Sequence, residues 1–142
     1  MKFDMLSVQN SQNNFSQERL ESFCTEIINL DPKIRFAGVI TDKGKLVAEN
    51  KRYGLKASVD PKDLEILLME TALGVRMRRV HDDQLGAVNF TISHSQNSIS
   101  IIFPLETQML CITAEKDLDF LKVPFLIMQL LEQKFSKRLE II

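Results

Sequence analysis

Between Asp60 and about Val80 the chain is apolar on two opposite sides of a single helix, and no other feature constrains its architecture more. At about 100° per residue, Leu64, Leu67, Leu68, Thr71, Ala72 and Val75 fall on one side. Ile66, Met69, Leu73, Met77 and Val80 fall roughly opposite, with Glu65 and Arg76 between the stripes on one flank and Glu70 on the other. A surface helix in a monomer needs one apolar stripe. In a chain of 142 residues the second stripe is expected to meet another subunit. The pattern alone leaves open which stripe turns inward.

The remaining segments supply a sheet for this helix to cover. Residues 1–15 are rich in Ser, Gln and Asn without any period and read as a flexible leader, with a single domain over residues 16–142. Ser16 is a suitable N-cap for a first helix, in which Leu20, Phe23, Cys24, Ile27 and Ile28 share one face before Asp31-Pro32 ends it. Ile34 to Thr41 is β-rich, Asp42-Lys43-Gly44 is a turn, and Lys45 to Glu49 returns as a second strand. A polar loop over 50–59 leads to Asp60-Pro61, a strong helix start that carries the double stripe on to about His81. Three strands follow, at Ala87 to Ser93, Ser98 to Phe103 and Thr107 to Ala114, with the last apolar on both faces as a central strand should be. A final helix is expected from Val123-Pro124 to about Lys137. The order is α-β-β-α-β-β-β-α. With hairpin turns between successive strands this is an α+β domain whose sheet is mainly antiparallel and covered by helices.

Composition bounds the function. A net charge of −1 creates no global field, so nucleic acid is an unlikely partner. Lys43, Lys45, Lys51, Arg52, Lys56 and Lys62 cluster locally; the first reading is a solvated hairpin and loop, the second a patch contacting an anion or a partner. Arg76, Arg78 and Arg79 suit the C-terminal end of the middle helix, and a solvated or interface role is preferred to an arginine finger acting on a nucleotide. Cys24 and Cys111 sit at positions patterned as buried, without a disulfide framework. No run approaches the ~18 apolar residues of a membrane span, and the start lacks a signal-peptide pattern, so the cytoplasm is the expected compartment.

No catalytic or cofactor motif emerges. The segment from Gly38 to Lys45 has five residues between its glycines where a phosphate loop needs four, and Leu46 stands in place of Ser or Thr. His81, Asp82 and Asp83 are consecutive and cannot converge on one metal ion. The expectation is a non-enzyme without metal or cofactor.

The element order, together with FAGVITDKGKLVAE in the first hairpin, resembles the roadblock/LC7 family of the profilin-like class. The resemblance implies a five-stranded antiparallel sheet with the middle helix on one face and the first and last helices on the other. It implies a homodimer joined through the middle helix and the third strand, with Ile66, Met69, Leu73, Met77, Val80, Val88 and Phe90 at the interface. It also implies a dimeric platform for other proteins, among them small Ras-like GTPases, with Lys51, Arg52, Arg76, Arg78 and Arg79 as candidate anion or partner contacts. The alternative is a PAS- or GAF-like sensor in which Phe36, Phe90 and Phe103 line a small-molecule pocket.

Overall fold

Alternating apolar residues on five segments decide the architecture. The computed structural model describes residues 17–52 and 59–135; the leader, Ser16, Lys56 and the tail beyond Phe135 lie outside the described residues. A first helix, α1 (17–28), leads to β1 (Ile34–Thr41) and β2 (Leu46–Lys51). Helix α2 (Pro61–Arg79) and a single helical turn, α3 (Asp82–Leu85), precede β3 (Thr91–His94), β4 (Ile99–Pro104) and β5 (Gln108–Ala114), and α4 (Val123–Lys134) follows. The strands form one antiparallel sheet in the order β2-β1-β5-β4-β3, as expected for the α-β-β-α-β-β-β-α class. Among the described residues the α3 turn is the one helical addition to that order.

Strand parity sorts the core into two layers. Ala37 and Val39 of β1, Leu110, Ile112 and Ala114 of β5, and Ile99, Ile101 and Phe103 of β4 face α1 and α4. There they meet Leu20, Phe23, Cys24, Ile27 and Ile28 of α1 and Val123 and Ile127 of α4. The other parity faces α2, where Ile40, Met109 and Cys111 receive Leu68 and Ala72, with Leu64, Val75 and Ile102 around them. The first layer is extensive and the second is small. One helix therefore covers only part of its sheet face.

Local chemistry fixes the corners. Gly44 takes φ +85° in the β1–β2 turn, and a Cβ there would lie 2.6 Å from the Met69 Cα, so this turn packs directly on the α2 backbone. Asp60 stands at the N-cap of α2 with Pro61 following, yet its side chain makes no capping bond; its carbonyl accepts from the Leu64 N–H instead. Arg52 N donates to the Arg35 carbonyl and extends β2 two residues past the expected Glu49. The third strand is shorter than expected. Continuing the register would bring Phe90 opposite Phe103 and Asn89 opposite Pro104, which has no N–H to give, so pairing starts only at Thr91.

Candidate protein-interaction surface

The inward stripe of α2 is the Leu64–Val75 side, with Leu68 and Ala72 buried. Ile66, Met69, Leu73, Met77 and Val80 all remain exposed, Val80 at 78%. Leu67, patterned with the inward set, is also exposed because it sits on the flank. Beside that flank α2 stands away from β3 and β4, leaving an open groove of about 840 Å³. Gly74, Val75 and Arg78 form one wall; Val88, Thr91, Ser93, Ser100 and Ile102 form the floor and the far wall. Gly74 has no atom within 4 Å of where a Cβ would be, so its backbone is open to a close neighbour.

Of the two strand-3 candidates, Val88 lines this groove and Phe90 does not. The Phe90 ring turns to the opposite sheet face, 5.6 Å from Phe103 and 5.4 Å from Phe125 between centroids. The three phenylalanines of the sensor reading do not converge either. Phe103 is fully buried beside Phe90 in the α1/α4 layer, whereas Phe36 lies on the α2 side, its ring against Gly38.

The candidate cations are dispersed. Lys51 ends β2 next to Phe36 and Arg52 follows it, while Arg79 donates to the carbonyls of Leu105 (2.6 Å) and Glu106 (3.3 Å), beyond the opposite end of the sheet. Arg52 binds three carbonyls, those of Ile28 (2.6 Å), Ile34 (2.9 Å) and Asp31 (3.0 Å), and so ties the end of α1 to β1. Arg78 is held by Asp82 at 3.0 Å and reaches the Gly86 carbonyl. Lys51 faces Glu49 at 3.9 Å, and Arg76 is exposed. Two structural arginines, Arg52 and Arg79, carried no signal in sequence because their acceptors are backbone carbonyls brought near only by the fold.

Electrostatics elsewhere are those of paired surface charge. Hydrogen bonds from Arg35 and Lys33 hold the carboxyls of Glu115 and Asp117 below the usual carboxylate range. Burial pushes both thiols up to about 12, with Glu21 and Glu49 adding to the effect at Cys24. Raised in this way, neither sulfur is a nucleophile at neutral pH. Among the described residues no cluster of three metal-ligating side chains occurs, and no helix is long and apolar enough to cross a membrane.

A sheet with one helix on one face and two on the other, in this element order, is the roadblock/LC7 fold, and solved structures agree. A roadblock/LC7 domain from Streptomyces avermitilis superposes with a TM-score of 0.64 at 11% identity, covering 83% of this chain and 96% of that one. Myxococcus xanthus MglB gives 0.64 at 12%, covering 87% and 97%, and an MglB with tetrameric arrangement gives 0.69 at 16%, covering 88% and 91%. At these identities the likeness establishes the fold alone. The chain belongs to the family of unknown function DUF6659, whose model matches residues 13–139. No curated protein matches it.

Proposed function

We propose that this chain is a non-enzymatic homodimeric platform for other proteins. The observation that carries the reading is the α2 stripe: five large apolar side chains, aligned and open, next to a groove over β3 and β4. Water is a poor partner for such a patch, and patches of this kind mark association sites. A second copy presents the same helix, so a two-fold arrangement sets stripe against stripe with Val88 along the groove. The interface residues are then Ile66, Met69, Leu73, Met77, Val80 and Val88. Phe90 supports the edge from within its own core rather than meeting the twin through the groove.

The further partner is a small Ras-like GTPase, which some roadblock/LC7 proteins regulate, or another protein of a complex that this chain scaffolds. Of the five candidate cations, Arg76 is exposed and Lys51 meets only Glu49 at 3.9 Å, so these two suit such contacts, whereas Arg52, Arg78 and Arg79 have structural partners. The test is affinity capture from the native cell with the wild-type chain and a Leu73→Lys/Met77→Lys control. Retention of a GTP-binding protein that depends on its nucleotide and on the intact stripe supports the reading. Identical captures by the two chains refute it.

A further inference from the structure

Helix α2 is held to its sheet by a small layer. Of its 19 residues only Leu68 and Ala72 are buried, and they meet Ile40, Met109 and Cys111. Two hairpin turns add support, and both lie at the same end of the sheet, because Thr41 at the end of β1 faces Gln108 at the start of β5. The β1–β2 turn meets α2 at Met69, and the β4–β5 turn accepts the Arg79 guanidinium on the carbonyls of Leu105 and Glu106. About 15 Å of helix separates the two supports, at a rise of about 1.5 Å per residue.

The first support is a contact of backbone on backbone. A Cβ on Gly44 would lie 2.6 Å from the Met69 Cα and 2.8 Å from both the Leu68 carbonyl oxygen and the Met69 nitrogen. Those atoms belong to the peptide that joins the inward stripe to the outward one, since Leu68 is buried and Met69 exposed. At about 100° per residue this peptide lies on the flank away from Gly74, which borders the open groove. The turn itself is stiff. Thr41 N donates to the Lys45 carbonyl (2.8 Å) and Gly44 N to the Thr41 carbonyl (2.9 Å), while the Thr41 hydroxyl oxygen accepts from the backbone N–H groups of Lys43 and Lys45 (3.2 Å each). Of the two bodies in contact, the helix is the one with room to move.

We infer that Gly44 is a positioning residue for self-association: the β1–β2 turn is the stop that seats α2 and so sets where its outer stripe points. The inference rests on the homodimer proposed above. Any side chain at position 44 must drive turn and helix apart, from 2.6 Å to the 3.4 Å at which ordinary contact begins, a shift of about 0.8 Å. A gap of about 0.5–1 Å forfeits a quarter to a half of the dispersion attraction between packed atoms. Each copy carries the shift, so the seam between two stripes takes it twice. No side-chain change on α2 relieves the contact, because the atoms met are backbone.

Sedimentation equilibrium on the full chain, with thermal melts of the same samples, compares wild type with Gly44→Ala and Gly44→Asn. Both variants carry the obstructing Cβ, but asparagine adopts positive φ more readily than alanine and relieves the backbone strain at φ +85°. The expected result is a dimer dissociation constant raised at least tenfold by both, at a temperature where circular dichroism shows them folded, with Gly44→Asn melting above Gly44→Ala. Dimer affinity that recovers with asparagine, or that neither variant changes, overturns the inference, because the glycine would then serve backbone conformation alone. Unfolding of Gly44→Asn overturns it as well, since the turn would hold the fold rather than the interface. A dimer loosened by Leu73→Lys/Met77→Lys but not by Gly44→Asn leaves the homodimer standing and removes only the role of Gly44. A wild-type monomer removes both.

Discussion

Replacing Leu73 and Met77 together by lysine separates association from folding. Full burial of a Leu or Met side chain contributes about 1.5–3 kcal/mol relative to leaving it in water. Leu73 is 49% exposed in the isolated chain and Met77 64%, so covering what remains contributes about 1 kcal/mol each. A two-fold interface counts each twice, giving about 4 kcal/mol, or close to a thousandfold in the dissociation constant. Desolvation of four introduced ammonium groups adds to the loss. Neither residue belongs to the core under α2, so the fold should survive; Leu68→Ala, on the buried stripe, should instead cost about 2–5 kcal/mol of folding stability. Light scattering across a concentration series, with thermal melts on the same samples, checks both halves. A dimer that persists in the double lysine variant, or a variant that unfolds like Leu68→Ala, would refute the assignment of the two stripes.

Three further outcomes are expected. Arg52→Ala removes the donors to three carbonyls and should lower stability by about 3 kcal/mol, near 10 °C in melting temperature for a domain of this size, without changing the oligomer. Gly74→Ala should stabilise the helix by about 1 kcal/mol, visible in the melting of the monomeric α2 variant, while loosening the wild-type dimer because the added methyl fills the flank left open for a second backbone. The lowered carboxyls of Glu115 and Asp117 contribute stability above the ordinary carboxylate range and lose it as pH falls through their folded-state values. Urea midpoints of Glu115→Gln/Asp117→Asn should therefore lie below wild type at pH 7 and merge with it in strong acid. Lys33 and Arg35 are shifted upward, so their share is retained at pH 7 to 9 and no basic-side difference should appear.

Much of this architecture is legible in sequence because period and punctuation are local. Ile34–Thr41 reads as a strand to the residue, and Pro61 and Pro124 mark two helix starts. The double stripe on α2 is likewise a local pattern, although its orientation is set by the sheet: Ile40, Met109 and Cys111 accept Leu68 and Ala72 and leave the other side in water. What eluded the sequence depends on distant partners. Alternation at 87–93 predicts a longer strand, but Pro104 of the neighbouring strand ends the ladder, and Phe90 turns into an aromatic cluster. The basic residues cluster in sequence, yet β2 carries Lys51 and Arg52 to one end of the sheet while Arg79 is anchored at the other. Arg52 looks like a free cation until the end of α1 supplies its carbonyls.

The central claim is that the outer stripe of α2 belongs to a second copy of the chain. The most direct measurement is the mass of the wild-type chain by sedimentation equilibrium from about 1 to 100 μM, a span that covers ordinary homodimer affinities. Twice the chain mass throughout, or a monomer–dimer equilibrium within that range, is the predicted result. A single species of one chain at the highest concentration, with Ile66, Met69, Leu73, Met77 and Val80 still facing water, would contradict it.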